Sequence, residues 1–268
     1  VDHLNSSGIS ENVYLVGNTL IDTQKKYLEQ SLKTRYYGTL GLQPKDYVLV
    51  TLNHQKNTKD LVHVEEIFND LNDLSTTEIL VVLLSASIKS EIETTEFFQT
   101  VQQNENIIIQ EPIGYLEFTC LLANSKYVIT DRSGVQEEST SLNVPCFTLS
   151  ETSERQSTFI ENNGTNQLIR RINDIELKEC RGNMILWDGK SSYRIYGIVL
   201  KNIMEFHETE KFDKIILIPI GGLGTRFKEN DYKRPKTLIN IFGQPLIFHL
   251  LDNLDIDDET IVYIVYNH

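Results

Sequence analysis

The sequence predicts an α/β protein built on a doubly wound parallel sheet, followed by a partial second α/β unit. Two observations carry this prediction. Short runs rich in Val, Ile and Leu recur along the chain without polar alternation, the pattern of strands covered on both faces. Amphipathic segments long enough for helices separate them, and strand–helix alternation builds parallel sheets.

The elements follow in order. "VYLV" (13–16) is the first apolar run, read as a strand. "DTQKKYLEQSLKTRYY" (22–37) sets Tyr27, Leu28, Leu32 and Tyr36 at near-helical spacing. "YVLVTL" (47–52) is the next strand, and "KDLVHVEEIFNDL" (59–71) the next helix, with Leu61, Val62, Val64, Ile67 and Phe68 as its apolar face. Strands then follow at "EILVVLLS" (78–85), "NIIIQ" (106–110), "YVIT" (127–130), "CFTL" (146–149) and "QLI" (167–169). A long helix, "KSSYRIYGIVLKNIMEF" (190–206), closes a first domain of residues 1–206. "HETEKFD" (207–213) is charged, has no apolar period and reads as a linker. Residues 214–268 open a second unit, with a strand at 214–220, a glycine-rich turn, a strand near 237–241, a short helix after Pro245 and a strand at 260–266.

Composition narrows the function. A length of 268 residues holds one large domain or two smaller ones, and 40% hydrophobic content supports a real core. The balance of 25 Lys+Arg against 38 Asp+Glu gives −13, which argues against a nucleic-acid footprint and against an anionic membrane surface. Anionic small molecules stay within reach of local basic and N–H groups. Cys120, Cys146 and Cys180 are odd in number and lack a CxxC pair, so neither a zinc site nor a disulfide framework is expected, and a cytoplasmic location fits. The opening "VDHLNSSGISEN" is not a signal peptide, and no apolar run approaches the roughly 18 residues of a membrane span. The chain starts at Val1 rather than Met and enters structure almost at once, so an upstream part is expected.

In parallel sheets ligands bind at the C-terminal strand ends, so the loops after "VLVTL" and "VIT" are the first candidates for a site. In "VITDRSGVQEEST" (128–140) a strand ends at Thr130, Asp131-Arg132-Ser133-Gly134 turns, and a helix starts near Val135. The open N–H groups at that helix start suit a phosphate, and Gly134 lets a ligand approach the backbone. Glu138, about one turn in, can accept from the two vicinal hydroxyls of a ribose. The structural alternative makes Ser133 an N-cap, with Glu137 and Glu138 favouring the helix dipole. Arg155, in "SETSERQSTFIENNGTNQL" (150–168), can meet a diphosphate bidentately or form a salt bridge with a neighbouring glutamate. His54, in "VTLNHQKNTKD" (50–60), is a proton shuttle, a phosphate donor or a solvated loop residue. In "EPIGYLEF" (111–118), Tyr115 and Phe118 flank a base or pack into the core.

Taken together, these segments resemble the C-terminal domain of UDP-N-acetylglucosamine 2-epimerases. The matching residues are Gly17-Asn18-Thr19 with Ile21-Asp22; Glu111, Pro112, Tyr115 and Phe118; Thr130-Asp131 with Gly134, Gln136, Glu137 and Glu138. Thr152, Glu154 and Arg155, then Gly164-Thr165-Asn166, and finally Trp187 to Lys190 with Arg194-Ile195, continue the match over about residues 4–206. The resemblance implies the C-terminal half of a GT-B-like pair of Rossmann-like domains, with the active site between them. It implies that the turn at Arg132, Ser133 and Gly134 holds a UDP diphosphate, that Glu138 holds the ribose, and that Phe118 and Arg155 complete the UDP site. In that family UDP is eliminated from UDP-GlcNAc to give a 2-acetamidoglucal and added back to give UDP-ManNAc, with carboxylates of the other domain handling the proton at C2. No cofactor is expected for this reaction. The expected partners are UDP-GlcNAc and UDP, with no nucleic acid and no membrane, and a homodimer stays open. The fragment alone is expected not to turn over.

Two segments depart from the family pattern. The functional histidine of the family aligns with Asn53, while His54 stands on an arginine position; either the loop shifts by one residue and His54 serves, or the group is lost. Arg132 and Ser133 replace Ser-Gly, so Arg132 either strengthens phosphate binding or blocks the turn. A hydrolysing epimerase that releases ManNAc and UDP, a UDP-sugar-binding module without turnover, and a glycosyltransferase of the same architecture are the alternatives.

The second unit carries "GGLGTRF", which is neither a dinucleotide fingerprint nor a P-loop. With Gly222, Gly224, Thr225, Arg226 and then Pro235, Lys236 and Leu238, it resembles the N-terminus of sugar-phosphate nucleotidyltransferases. The resemblance implies a glycine turn offering N–H groups to an NTP, Arg226 and Lys236 neutralising triphosphate charge, and Mg2+ in a complete domain. The expectation is a bifunctional nucleotide-sugar enzyme serving polysaccharide synthesis.

Overall fold

The computed structural model describes residues 8, 10–52, 61–207, 214–220, 240–241, 244–245, 250–254, 256–257 and 260–266. The chain divides into two compact units, Val1–Ile195 and Tyr196–His268.

In the first unit, helix α1 (Thr19–Thr34) and the short α2 (Tyr36–Thr39) precede β1 (Tyr47–Leu52). Then come α3 (Leu61–Leu74), β2 (Ile79–Leu84), α4 (Ala86–Ile92), α5 (Glu96–Gln102) and β3 (Ile107–Gln110). Helix α6 (Tyr115–Asn124), β4 (Val128–Thr130), α7 (Ser133–Ser141), β5 (Cys146–Leu149) and β6 (Asn166–Ile169) complete the layers. Helix α8 (Ser191–His207) follows.

The six strands form one sheet in the order β3-β2-β1-β4-β5-β6, with every pair parallel. This is the doubly wound order in which the chain reverses direction across the sheet between β1 and β4. Both faces are covered, as the unalternating strands require. Val48, Val50 and Leu52 of β1 face a core built with Val64, Ile67, Phe68 and Leu71 of α3. Tyr47 and Leu49 face the opposite core, with Leu121 and Leu122 of α6 and Val135 of α7.

Three expectations are corrected. "VYLV" is not a strand: Tyr14 and Leu15 are exposed, and the Val16 carbonyl accepts from Arg194 Nη1 at 3.2 Å. An apolar run becomes a strand only beside a partner strand, and among the described residues this run has none. Helix α1 begins at Thr19 rather than residue 22, because Asn18 caps it, its Oδ1 accepting from the Leu20 N–H at 2.9 Å. Its buried face is Ile21, Gln24 and Ser31, while Tyr27 and Leu32 are exposed, since polar and small residues let α1 lie against α6 and α7. In α3 the buried stripe runs at helical spacing from Val64 to Leu71, and Leu61 and Val62 overhang its start in solvent.

In the second unit β7 (Lys214–Ile220) pairs in parallel with β10 (Thr260–Tyr266), from Lys214 opposite Thr260 to Ile220 opposite Tyr266. Between them β8 (Asn240–Ile241) and β9 (Gln244–Pro245) form a short antiparallel pair. Among the described residues no helix is long and apolar enough to cross a membrane.

Candidate functional site

In a doubly wound sheet the ligand crevice lies where the strand order reverses, here at the C-terminal ends of β1 and β4. Thr51 and Thr130, both buried, meet there across the strands with their hydroxyl oxygens 2.7 Å apart. Hydroxyls at the ends of otherwise apolar strands were the available signal for this pair, and strand patterning alone passes over it. Strand β1 leads into residues 53–60, so Asn53 and His54 lie outside the described residues. Gly222, Gly224, Arg226 and Lys236 of the second unit also lie outside them.

Strand β4 leads through Asp131 and Arg132 into α7. The N-cap is Arg132, extended at φ −109° and ψ 127°, and Ser133 is the first helical residue, which overturns the alternative of a Ser133 cap. Arginine carries no acceptor, so no side chain caps the helix among the described residues, and the Arg132 N–H itself is donated to Thr130 Oγ1 at 3.0 Å. The first-turn N–H groups therefore face outward without an intrahelical partner. A Cβ placed on Gly134 would meet nothing within 4 Å, so the space before this helix end is open.

Glu138 sits on α7 at 6% exposure, and its Oε1 has no hydrogen-bond partner. Burial pushes its carboxyl above the ordinary range, against the opposing pull of the Tyr115 hydroxyl and Arg132, while Glu137 adds to the rise. Tyr115, at the start of α6, is pushed up to about 12 by its own burial and by Glu138. An orphaned buried carboxylate oxygen is costly to the free protein and is a ready acceptor for ligand hydroxyls. Because the folded carboxyl titrates above its ordinary value of 4.5, the proton it keeps stabilises the fold fully below 4.5 and that contribution is lost as pH rises through the raised value. Wild type and Glu138→Gln are thus expected to melt alike in acid, with the variant gaining on wild type as pH rises, which thermal melts across pH will check.

Glu137 faces a different set of neighbours. Its Oε1 accepts from Asn18 Nδ2 at 2.9 Å and stands 3.6 Å from Arg155 Nε. Burial raises this carboxyl too, opposed by Arg155 and Asn18. Arg155 therefore forms the ion pair with a nearby glutamate, and its Nε is buried without a hydrogen-bond partner. Phe118 is half-buried and packs on the second core, so Tyr115 rather than Phe118 reaches the crevice carboxylate.

Other motif residues lock this site to the frame. Buried Gln136 Oε1 accepts from Ser153 Oγ at 2.6 Å and from Asn166 Nδ2 at 3.3 Å, and Asn166 Oδ1 accepts from Thr148 Oγ1 at 2.7 Å. Gln24 of α1 donates to the Glu138 carbonyl at 3.0 Å. Asp22 accepts from the N–H groups of Ser191 and Ser192 at 3.0 and 2.7 Å, seating the start of α8. Burial acts to raise the Asp22 carboxyl, but these hydrogen bonds outweigh it and hold it below its usual range.

Comparison with known proteins agrees with this geometry. Residues 1–200 match the UDP-N-acetylglucosamine 2-epimerase family. The chain is 29% identical over 210 residues to the UDP-N-acetylglucosamine 2-epimerase of Methanocaldococcus jannaschii, covering 74% of this chain and 57% of that protein. It is 33% identical over 157 residues to the enzyme of the same name from Methanococcus maripaludis, covering 56% of this chain and 43% of that protein. The crystal structure of the Methanocaldococcus jannaschii enzyme in complex with UDP-GlcNAc and UDP superposes with a TM-score of 0.61 at 27% identity, over 75% of this chain and 58% of that one. The chain thus spans about half the length of the curated relatives it matches. With the match running through the whole parallel sheet and the α7 crevice, the chain belongs to the UDP-N-acetylglucosamine 2-epimerase family.

Proposed function

We propose that the first unit is the UDP-binding half of a UDP-N-acetylglucosamine 2-epimerase, acting on UDP-GlcNAc to form UDP-ManNAc. The observation that carries this reading is the orphaned Oε1 of buried Glu138, one helical turn inside the uncapped start of α7. In this reading the diphosphate takes the first-turn N–H groups, and Glu138 accepts from both ribose hydroxyls. Arg132 at the helix start and Arg155 beside Glu137 supply positive charge, and Ser133 adds a hydroxyl. The relative solved with UDP-GlcNAc and UDP supports the choice of nucleotide. The reaction removes the C2 proton and breaks the C1–O bond to UDP, then reverses both steps with the proton delivered to the opposite face. The other half of the enzyme would supply the carboxylates for that proton.

Product analysis in D2O tests this. The protein joined to its other half is expected to convert UDP-GlcNAc to UDP-ManNAc carrying deuterium at C2. Free ManNAc with UDP would identify a hydrolysing enzyme, and UDP binding without turnover a binding module, the reading that Asn53 favours. Gly134→Leu gives a second test, since its side chain would enter open space. The variant is expected to keep its stability within about 1 kcal/mol and to lose UDP affinity, which melting with and without UDP will show.

We also propose that residues 214–268 begin a nucleotidyltransferase unit, which when complete would use Mg2+ and an NTP. The parallel β7–β10 pair and the Gly222-to-Lys236 pattern support it. Pyrophosphate release from an NTP and a sugar phosphate by the longer protein, lost in Lys236→Ala, is the expected result.

A further inference from the structure

We propose that Asn18 is a positioning residue for Arg155, acting through Glu137; the inference rests on reading the α7 crevice as the diphosphate site. The two ends of the Asn18 amide do different work. Oδ1 caps α1 by accepting from the Leu20 N–H at 2.9 Å, and Nδ2 donates to Glu137 Oε1, also at 2.9 Å. Asn18 cannot drift from this place, because α1 is tied to α7 by the Gln24–Glu138 bond and to the start of α8 through Asp22.

The Asn18 bond holds Glu137 back from Arg155. Arg155 Nε lies 3.6 Å from the same Oε1, near enough for charge attraction and too far for a hydrogen bond. That Nε is buried and has no hydrogen-bond partner. The Arg155 main chain is fixed as well: its N–H donates to Ser153 Oγ at 2.9 Å, and Ser153 Oγ donates to Gln136 Oε1 at 2.6 Å. The guanidinium is thereby steered by a carboxylate that Asn18 pins beyond hydrogen-bonding distance, and its Nε donor stays available for an incoming anion. Aspartate caps a helix equally well but offers no donor in place of the amide N–H.

Asn18→Asp separates the two jobs, because aspartate caps as well as asparagine but presents oxygen to oxygen at Glu137. The melting temperature is expected to stay within about 3 °C of wild type. Glu137, repelled by the new carboxylate, should turn to Arg155 and take its Nε–H. In ligand-free protein the Arg155 Nε–H NMR signal should then move downfield and exchange more slowly with solvent. UDP affinity should fall about tenfold. Adding Glu137→Gln to Asn18→Asp restores a donor–acceptor pair with the charge on residue 18, and most of the affinity should return. A purely structural Asn18 predicts none of these changes. An unaltered Arg155 signal in Asn18→Asp overturns the inference, as does unaltered UDP affinity alongside a wild type that binds. If wild type itself fails to bind UDP, the function reading fails separately, and the Arg155 signal still decides this one.

Discussion

Replacing Glu138 by alanine is expected to remove about 3 kcal/mol of UDP affinity, roughly 100-fold, while leaving the fold nearly as stable as before. Two hydroxyl donors to a buried charged acceptor are lost together, and nothing else in the crevice presents an unpartnered carboxylate oxygen among the described residues. The stability side runs the other way. The free protein keeps an ionisable group at 6% exposure with one oxygen unsatisfied, so deleting it relieves a penalty that offsets the packing lost with the side chain. A binding residue whose removal costs affinity but little stability is the pattern expected of a site held in tension with its fold. Calorimetry and thermal melts on the same preparation check both halves.

Gly164→Ala should have the opposite profile. A Cβ on Gly164 would overlap the Thr158 carbonyl oxygen and stand 2.7 Å from the Thr158 Cα, so backbone must move to admit it. The neighbouring Thr165 and Asn166 are fully buried, and Asn166 holds Gln136 of α7. Destabilisation of about 3 kcal/mol is expected, a fall in melting temperature of roughly 6–12 °C for a unit of this size. UDP affinity should fall with it, because the shift reaches the helix that carries Glu138. Melting curves with and without saturating UDP distinguish this variant, destabilised in both, from Glu138→Ala, which differs from wild type chiefly when UDP is present.

Much of the fold was legible in the sequence because its strands are buried on both faces. "YVLVTL", "YVIT" and "CFTL" have no polar alternation, and they became β1, β4 and β5. "VYLV" shows the weakness of that signal, since composition cannot report whether a neighbouring strand exists. The buried face of α1 is hidden from the sequence for a related reason. Its contact side is made of Ile21, Gln24 and Ser31, and polar residues buried by tertiary hydrogen bonds leave no hydrophobic period. At the crevice, the turn after Thr130 and the carboxylate at Glu138 could be read from strand, glycine and helix in succession. The motif residues Asn18, Gln136 and Asn166 could be matched but not understood, because each acts on a partner far away in sequence. Sequence alone leaves Arg155 between a diphosphate ligand and a salt bridge; in the structure it forms the salt bridge while its Nε donor stays unengaged.

The most direct test of the central claim is calorimetric titration of this chain with UDP, run beside Glu138→Ala and with CTP as control. Saturable binding of UDP to wild type, weaker for CTP and lost in the variant, is the predicted result. Equal affinity in wild type and Glu138→Ala, or no UDP binding by either, would contradict it.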